Sequence, residues 1–189
     1  MNQGIIPQAF TRHESVLQAT KDIVIEVEQA GTLILDALQA GNTIFTCGNG
    51  GSAADAQHLA AEFTCRYKED RKPLAAILLA ASLSHLTAVG NDYEFADIFS
   101  REIDALGHEG DLLVAFTTSG SSKNILKAME AARAKKMGVI VLTGEKGKPL
   151  AAKVDVLIAV PSEETARIQE MHELIYHAWC EYIDAKITS

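Results

Sequence analysis

The chain alternates between short runs that are apolar throughout and longer stretches in which apolar residues recur every three or four positions. The runs are Thr43 to Cys47, Ala75 to Leu79, Leu112 to Thr117, Gly138 to Leu142 and Val156 to Val160. Strands buried on both faces read this way, whereas a strand with one wet face alternates. The helical stretches between them are Ser52 to Thr64, Ser84 to Val89 with Glu94 to Leu106, Ser121 to Lys135, and Thr165 to Lys186. Strand and helix in steady succession predict an α/β domain, a parallel sheet flanked by helices. Ligands of such a sheet sit beyond the carboxyl ends of its strands. Lys146 to Pro149 reads as a turn.

Ahead of this core, a short lead containing Pro7 is followed by Ser15 to Leu38. Val16, Ile23, Val27, Ala30, Ile34 and Leu38 keep helical spacing, and Val24, Ile25, Leu33 and Leu35 widen the stripe. A helix that is apolar over more than one face needs more than one partner. Two arrangements satisfy this: a helical bundle between subunits, or a helix buried deeply in its own domain. Gly31 offers a point at which the stretch divides into two helices. Residues 1–40 thus form an N-terminal helical segment for oligomerisation, and residues 41–189 the α/β core of one domain.

A chain of 189 residues is long enough for one substantial core. Its formal net charge of −8, with no dense run of Lys and Arg, excludes the basic face that nucleic-acid binding requires. Three cysteines, odd in number and widely spaced, predict free thiols in a reducing compartment. MNQGIIPQAF has none of the features of a signal peptide, and no apolar run reaches membrane-spanning length. The expectation is a cytoplasmic protein with neither membrane nor nucleic acid as partner.

The chemistry concentrates after the first apolar run, in CGNGGSAADAQHLAAE, Cys47 to Glu62. Gly48, Asn49, Gly50 and Gly51 form a turn that lets backbone approach a ligand, and the following helix N-terminus favours an anion. Ser52 with Asp55 three residues on reads as an N-cap and its reciprocal partner. The loop matches neither the dinucleotide fingerprint nor the Walker loop. His58 and Glu62 then share one helical face. A second loop, Thr117, Thr118, Ser119, Gly120, Ser121 and Ser122, supplies hydroxyls beside another helix N-terminus. A structural cap needs one hydroxyl; five suit a phosphate monoester. In the last helix Gln169, Glu173 and His177 advance in steps of four, with His172 towards a neighbouring face and Ile175, Trp179 and Ile183 apolar. His13 and His108 read as surface residues.

Taken together, CGNGGSAADAQHLAAEF, AVGNDYEFADIFSR, TTSGSSKNI and ARIQEMHELIYH resemble the bacterial phosphoheptose isomerases of the sugar isomerase (SIS) domain class, in order and spacing from about Cys47 to His177. The resemblance implies a flavodoxin-like five-stranded parallel sheet and a homotetramer with active sites at subunit interfaces. It implies conversion of sedoheptulose 7-phosphate to D-glycero-D-manno-heptose 7-phosphate, for the heptose of lipopolysaccharide or another surface glycan. Carried over by position, Ser52, Thr117, Ser119 and Ser122 grip the phosphate, and Gly50, Gly51 and Thr118 join them in binding substrate. Asn49, Asn91, Asp92 and Gln169 contact substrate, Arg66 helps from the same helix as Glu62, and Glu62 and His177 are the acid/base pair. In members that bind zinc, one ion per subunit, the ligands correspond to His58, Glu62, Gln169 and His177.

Enediol isomerisation needs a base at the carbon beside the carbonyl and a group that moves protons between the two oxygens, roles open to imidazole and carboxylate. Zinc held by such residues polarises a carbonyl. The chain departs from the family pattern where a Thr-Asp pair is usual: it has Ala81 and Ser82, so a carboxylate expected at the substrate hydroxyls is missing. It also has Lys146 to Pro149 in place of a glycine pair. Three other functions stay open: an isomerase of another phosphosugar, a regulatory sugar-phosphate sensor, which would need the serine loop but not the Glu62 and His177 pair, and a non-catalytic SIS protein that binds the replication initiator. Members of that last branch lose the carboxylate and imidazole at the positions of Glu62 and His177, and here both stand.

Overall fold

The computed structural model describes residues 4–187. Strands β1 (Ile44–Gly48), β2 (Ala76–Leu78), β3 (Leu112–Thr117), β4 (Gly138–Gly144) and β5 (Val156–Val160) form one sheet in the order β2-β1-β3-β4-β5. Every neighbouring pair is parallel. This is the flavodoxin-like order, whose direction of winding reverses between β1 and β3 and opens a crevice at their carboxyl ends. Gly48 and Phe116 are register partners there, so the loops leaving the two strands start side by side.

Alternate residues of the central strands enter two cores. Leu112, Val114 and Phe116 pack with Ile34, Leu59 and Trp179. These come from helices α2 (Val24–Gln39), α3 (Gly51–Thr64) and α7 (Thr165–Ile187). Leu113 and Ala115 turn to the opposite face, against Ile103, Ile125 and Met129. That layer is built by α4 (Leu83–Asp92), α5 (Ser100–Leu106) and α6 (Lys123–Ala134). Two-sided burial is why β1 and β3 are apolar without alternation. The edge strands β2 and β5 are only partly buried.

The N-terminal segment differs from its sequence reading in both start and division. Helix α1 runs from Ile5 to Thr20 and includes Pro7 in its first turn, where a missing N–H costs no intrahelical bond. The joint with α2 is a short 3₁₀ turn at Lys21–Ile23. It follows Thr20, whose hydroxyl donates back to the Val16 carbonyl at 2.8 Å, a bond that bends helices. Gly31 does not divide anything: it is buried inside α2, and a Cβ there would lie 3.1 Å from the Trp179 ring. Its function is close approach to α7, whose Trp179 indole donates to Val27 O at 2.9 Å.

Two smaller corrections concern loops. Lys146 to Pro149 belong to a nine-residue 3₁₀ helix, Glu145–Lys153, rather than a simple turn. Gly147 lets that helix close onto the Thr143 side chain, and Gly120 in turn admits the Gly147 backbone. Helix α6 begins at Lys123, which leaves Ser121 in the preceding loop. All three cysteines are free, Cys47 and Cys180 buried and Cys65 exposed. No described helix is long and apolar enough to cross a membrane.

Candidate active site

Beyond the end of β1 the chain folds back on itself. A Cβ at Gly48 would collide with the Ser52 carbonyl, so glycine is required for the first turn of α3 to sit against the strand end. Gly50, with φ of 58°, turns the chain into the helix and is its N-cap. Ser52 is therefore not the cap; it lies buried within the first turn, and no side chain caps α3. The positive φ starts the helix one residue earlier than the side-chain pattern predicts. No side chain accepts from the amides of that turn; those of Ser52 and Ala53 donate to the Asn49 and Gly50 carbonyls at 3.1 and 3.0 Å, and the positive end of the helix dipole faces the cavity.

The loop after β3 comes to the same place. Thr117 Oγ1 accepts from the Gly120 amide at 3.2 Å, and Ser119 Oγ takes bonds from the Ser121 amide and hydroxyl at 3.3 and 3.1 Å. Ser122 precedes α6 as N-cap without a side-chain capping bond, which leaves its hydroxyl for a ligand. Between the loops lies a cavity of about 220 Å³. Asn49, Gly51 and Ser52 line one side, and Thr117, Thr118, Ser119 and Ser122 the other. Thr165 and Gln169 of α7 close it. Gln169 rests directly on Gly51, where any Cβ would displace it. Asn49 is held by Asn124, the two amides exchanging bonds of 2.9 and 2.8 Å.

About two to three turns along α3, His58 and Glu62 meet His177 of α7, their ligand atoms within 4.8 Å of one another. His58 Nε2 is 3.0 Å from Glu62 Oε1, and its ring meets His177 edge-on at 5.0 Å. Tyr67 stacks on His177 at 5.5 Å and 27°. The Tyr176 hydroxyl is 2.9 Å from His58 Nδ1. Two imidazoles and a carboxylate, half-buried and convergent, form a group that could hold a metal ion, and their donor types suit zinc. Gln169, the fourth expected donor, lies eight residues before His177, about 12 Å along the axis of α7, and belongs to the cavity.

Between the two centres the helices are acidic. Burial pushes the Asp55 carboxyl up to about 6, Glu173 adds to this, and His58 opposes it. Asp55 Oδ2 is buried with no hydrogen-bond partner among the described residues. Burial, with Glu173 and Asp55 behind it, also raises the Tyr176 phenol above its ordinary range.

Other expected residues stand elsewhere. Helix α3 ends at Thr64, so Arg66 is not on the helix of Glu62; it is exposed and donates to Lys68 O at 3.1 Å. Asn91 and Asp92, at the exposed end of α4, bond to each other at 2.7 Å and do not line the cavity. Ser82 caps α4, accepting from the His85 amide at 3.3 Å, so this hydroxyl supplies the cap bond. His108 is exposed as expected, while His13 is partly covered and lies 2.7 Å from Glu170 Oε2. His172 is wholly buried, and burial lowers its pKa to about 4. Sequence reasoning missed Asn124, Thr165, Tyr67 and Tyr176. Asn124 had a signal, an amide two residues after Ser122 at a helix start; the aromatic pair had none, since only the meeting of α3 with α7 makes them neighbours.

Fold and site together define a sugar isomerase domain: the family model "SIS domain" matches residues 11–144. Among curated proteins, the chain is 44% identical over 181 residues to phosphoheptose isomerase 1 of Campylobacter jejuni, covering 96% of this chain and 97% of that one. It is 49% identical over 171 residues to phosphoheptose isomerase of Neisseria gonorrhoeae, covering 89% and 87%. A solved structure of phosphoheptose isomerase from Neisseria gonorrhoeae superposes with a TM-score of 0.89, at 44% identity, over 95% of this chain and 97% of that one. The chain belongs to the phosphoheptose isomerase family.

Proposed function

We propose that this chain isomerises sedoheptulose 7-phosphate to D-glycero-D-manno-heptose 7-phosphate through an enediol, as the first step towards the heptose of a lipopolysaccharide or surface glycan. The observation that carries the reading is the spacing of two centres along α3. The hydroxyl-lined anion cavity lies at the helix start, and the His58, Glu62 and His177 cluster stands roughly 9–15 Å further along the axis. A sugar with phosphate on its terminal carbon and a carbonyl at the other end spans such a gap. Membership of the phosphoheptose isomerase family supports the same substrate.

In this reading the Gly51 amide at the start of α3 and the hydroxyls of Ser52, Thr117, Thr118, Ser119 and Ser122 bind the phosphate dianion, with the dipoles of α3 and α6 behind them. Asn49, held in one orientation by Asn124, bonds a sugar hydroxyl. Glu62 and His177 share the proton work: one removes the proton beside the carbonyl, and the other carries protons between the two oxygens. Zinc held by His58, Glu62 and His177 would polarise the carbonyl oxygen. Because the Glu62 side chain is only 19% exposed, its carboxylate works in a partly water-excluded setting that strengthens both roles.

The assembly in this reading is a homotetramer. Ile5, Ile6 and Phe10 of α1 and Leu83, Tyr93 and Phe95 of the α4 region are large apolar residues left exposed on the single chain. Burial of such surface against further copies supports the inter-subunit bundle and gives Arg66, Asn91 and Asp92 a neighbouring site to reach. A cytoplasmic setting accords with free thiols and with a phosphorylated substrate.

An NMR time course with sedoheptulose 7-phosphate, beside fructose 6-phosphate and an enzyme-free control, tests the reading. The aldoheptose phosphate should form in the first tube alone. Turnover of the hexose instead would move the substrate to another phosphosugar, and no turnover by folded, zinc-supplied protein would leave the non-catalytic binding role. Glu62→Gln and His177→Gln should each abolish turnover in a protein that still folds and assembles.

A further inference from the structure

His58 is held at both ring nitrogens. Nε2 faces Glu62 Oε1 at 3.0 Å, inside the cluster, and Nδ1 faces the Tyr176 hydroxyl at 2.9 Å, away from it. Glu173 Oε1 also approaches Nδ1 but stops at 4.0 Å, beyond hydrogen-bond range. Tyr176 is almost wholly buried, and its ring meets His58 edge-on at 5.4 Å and His177 at 4.8 Å. It also packs edge-on against Phe116 of the sheet at 6.1 Å. The hydroxyl is thus delivered by a ring that packing immobilises.

A neutral imidazole carries one N–H and one lone pair, and its partners choose which nitrogen has which. Beside the Glu62 carboxylate, an acceptor only, Nε2 is the donor and Nδ1 accepts from the phenol. When Nε2 gives its lone pair to a metal ion, the ring proton must be on Nδ1, and the partner there must accept. A carboxylate at Nδ1 would suit only the second state, and an ammonium only the first. A phenol serves both, because it donates or accepts by rotating its O–H.

We infer that Tyr176 is a positioning residue for His58: its hydroxyl holds the imidazole in one orientation through both tautomers, Nε2–H towards Glu62 and Nε2 bound to a divalent metal. The inference rests on the assignment of His58 as a metal ligand, and deepens it by naming the outer partner that such histidines require.

Tyr176→Phe tests it, since the ring and its packing stay and only the oxygen goes. Two readouts are independent of catalysis. In metal-free protein, long-range ¹⁵N–¹H NMR of the imidazoles should show His58 protonated on Nε2, with the variant a mixture of tautomers. Competition for Zn²⁺ against a chromophoric chelator should show affinity about 10–100-fold weaker in Tyr176→Phe at an unchanged melting midpoint. His58 found protonated on Nδ1 in metal-free wild type overturns the inference, as does zinc affinity in the variant within about twofold of wild type. Neither readout needs turnover, so a protein inactive on heptose phosphate that lost zinc affinity in the variant would sustain the role of Tyr176 while removing the isomerase reading.

Discussion

The guanidinium of Arg71 and the carboxylate of Asp184 form an ion pair almost wholly out of water, Nε to Oδ1 2.6 Å, with side chains 2% and 5% exposed. Each ion is engaged further. Arg71 donates to the carbonyls of Glu62 and Phe63 at 2.9 and 3.0 Å, closing the C-terminus of α3, while Asp184 Oδ2 accepts from the amides of Lys68 and Glu69. The pair therefore joins the end of α3 to α7 directly beside the backbone of Glu62. Burial pushes the Asp184 carboxyl up, but the Arg71 bond and the two amides outweigh it and hold the carboxyl below its ordinary value.

Removing one partner strands a buried charge. Asp184→Ala and Arg71→Met should each destabilise by about 3–5 kcal/mol, and the double change by less than the sum. Urea unfolding of the four proteins measures this. Strict additivity would mean that the pair is not coupled.

Asn124 acts through Asn49. Asn124→Ala leaves the Asn49 amide free to rotate, so the expected result is a rise in KM at little cost in folding, and Asn124→Asp should be worse because it sets a buried carboxylate oxygen against the Asn49 carbonyl oxygen in place of an N–H donor. Steady-state kinetics with sugar phosphate, beside thermal melts, separates these effects. Unchanged KM in both variants would remove Asn49 from the sugar contacts.

Ser119→Ala and Ser122→Ala should chiefly raise KM, because phosphate contacts are made equally in ground and transition states. Ser122 is the cleaner test, since Ser119 also takes two bonds within its own loop. A fall in kcat with constant KM would argue against phosphate anchoring.

His172 confers acid sensitivity. Its folded pKa of about 4 lies below the ordinary 6.5, so the unfolded chain binds the extra proton between these values. Stability is complete above pH 6.5 and is lost as pH falls towards 4, by on the order of 3 kcal/mol. His172→Gln should flatten that part of the profile, read as urea midpoints at pH 7 and pH 4.5.

The strand runs were legible because burial on both faces removes alternation, and β3 and β5 fall on the residues the pattern marks. The two loops that line the cavity were legible too, from glycines and clustered hydroxyls at strand-to-helix junctions. Positive φ at Gly50 was not, so the side-chain pattern marks Ser52 as the cap where the backbone uses Gly50. The joint at Lys21–Ile23 was hidden for a similar reason: it depends on a bent backbone, and no glycine or proline marks it.

The sequence by itself determined the fold class through periodicity, and marked the two loops and the His58 and Glu62 pair through residue type at local spacing; His177 was marked only by the resemblance of four linked motifs to a known family. Tertiary structure alone decided which side chains meet. Gly31 admits the Trp179 ring, Gln169 covers Gly51, Tyr176 reaches His58, and Arg71 finds Asp184. Each of these contacts joins residues more than a hundred positions apart, apart from their common dependence on α7. No local pattern encodes them: they exist because the parallel sheet sets α7 against α2 and α3, and close packing then leaves one arrangement of the facing side chains.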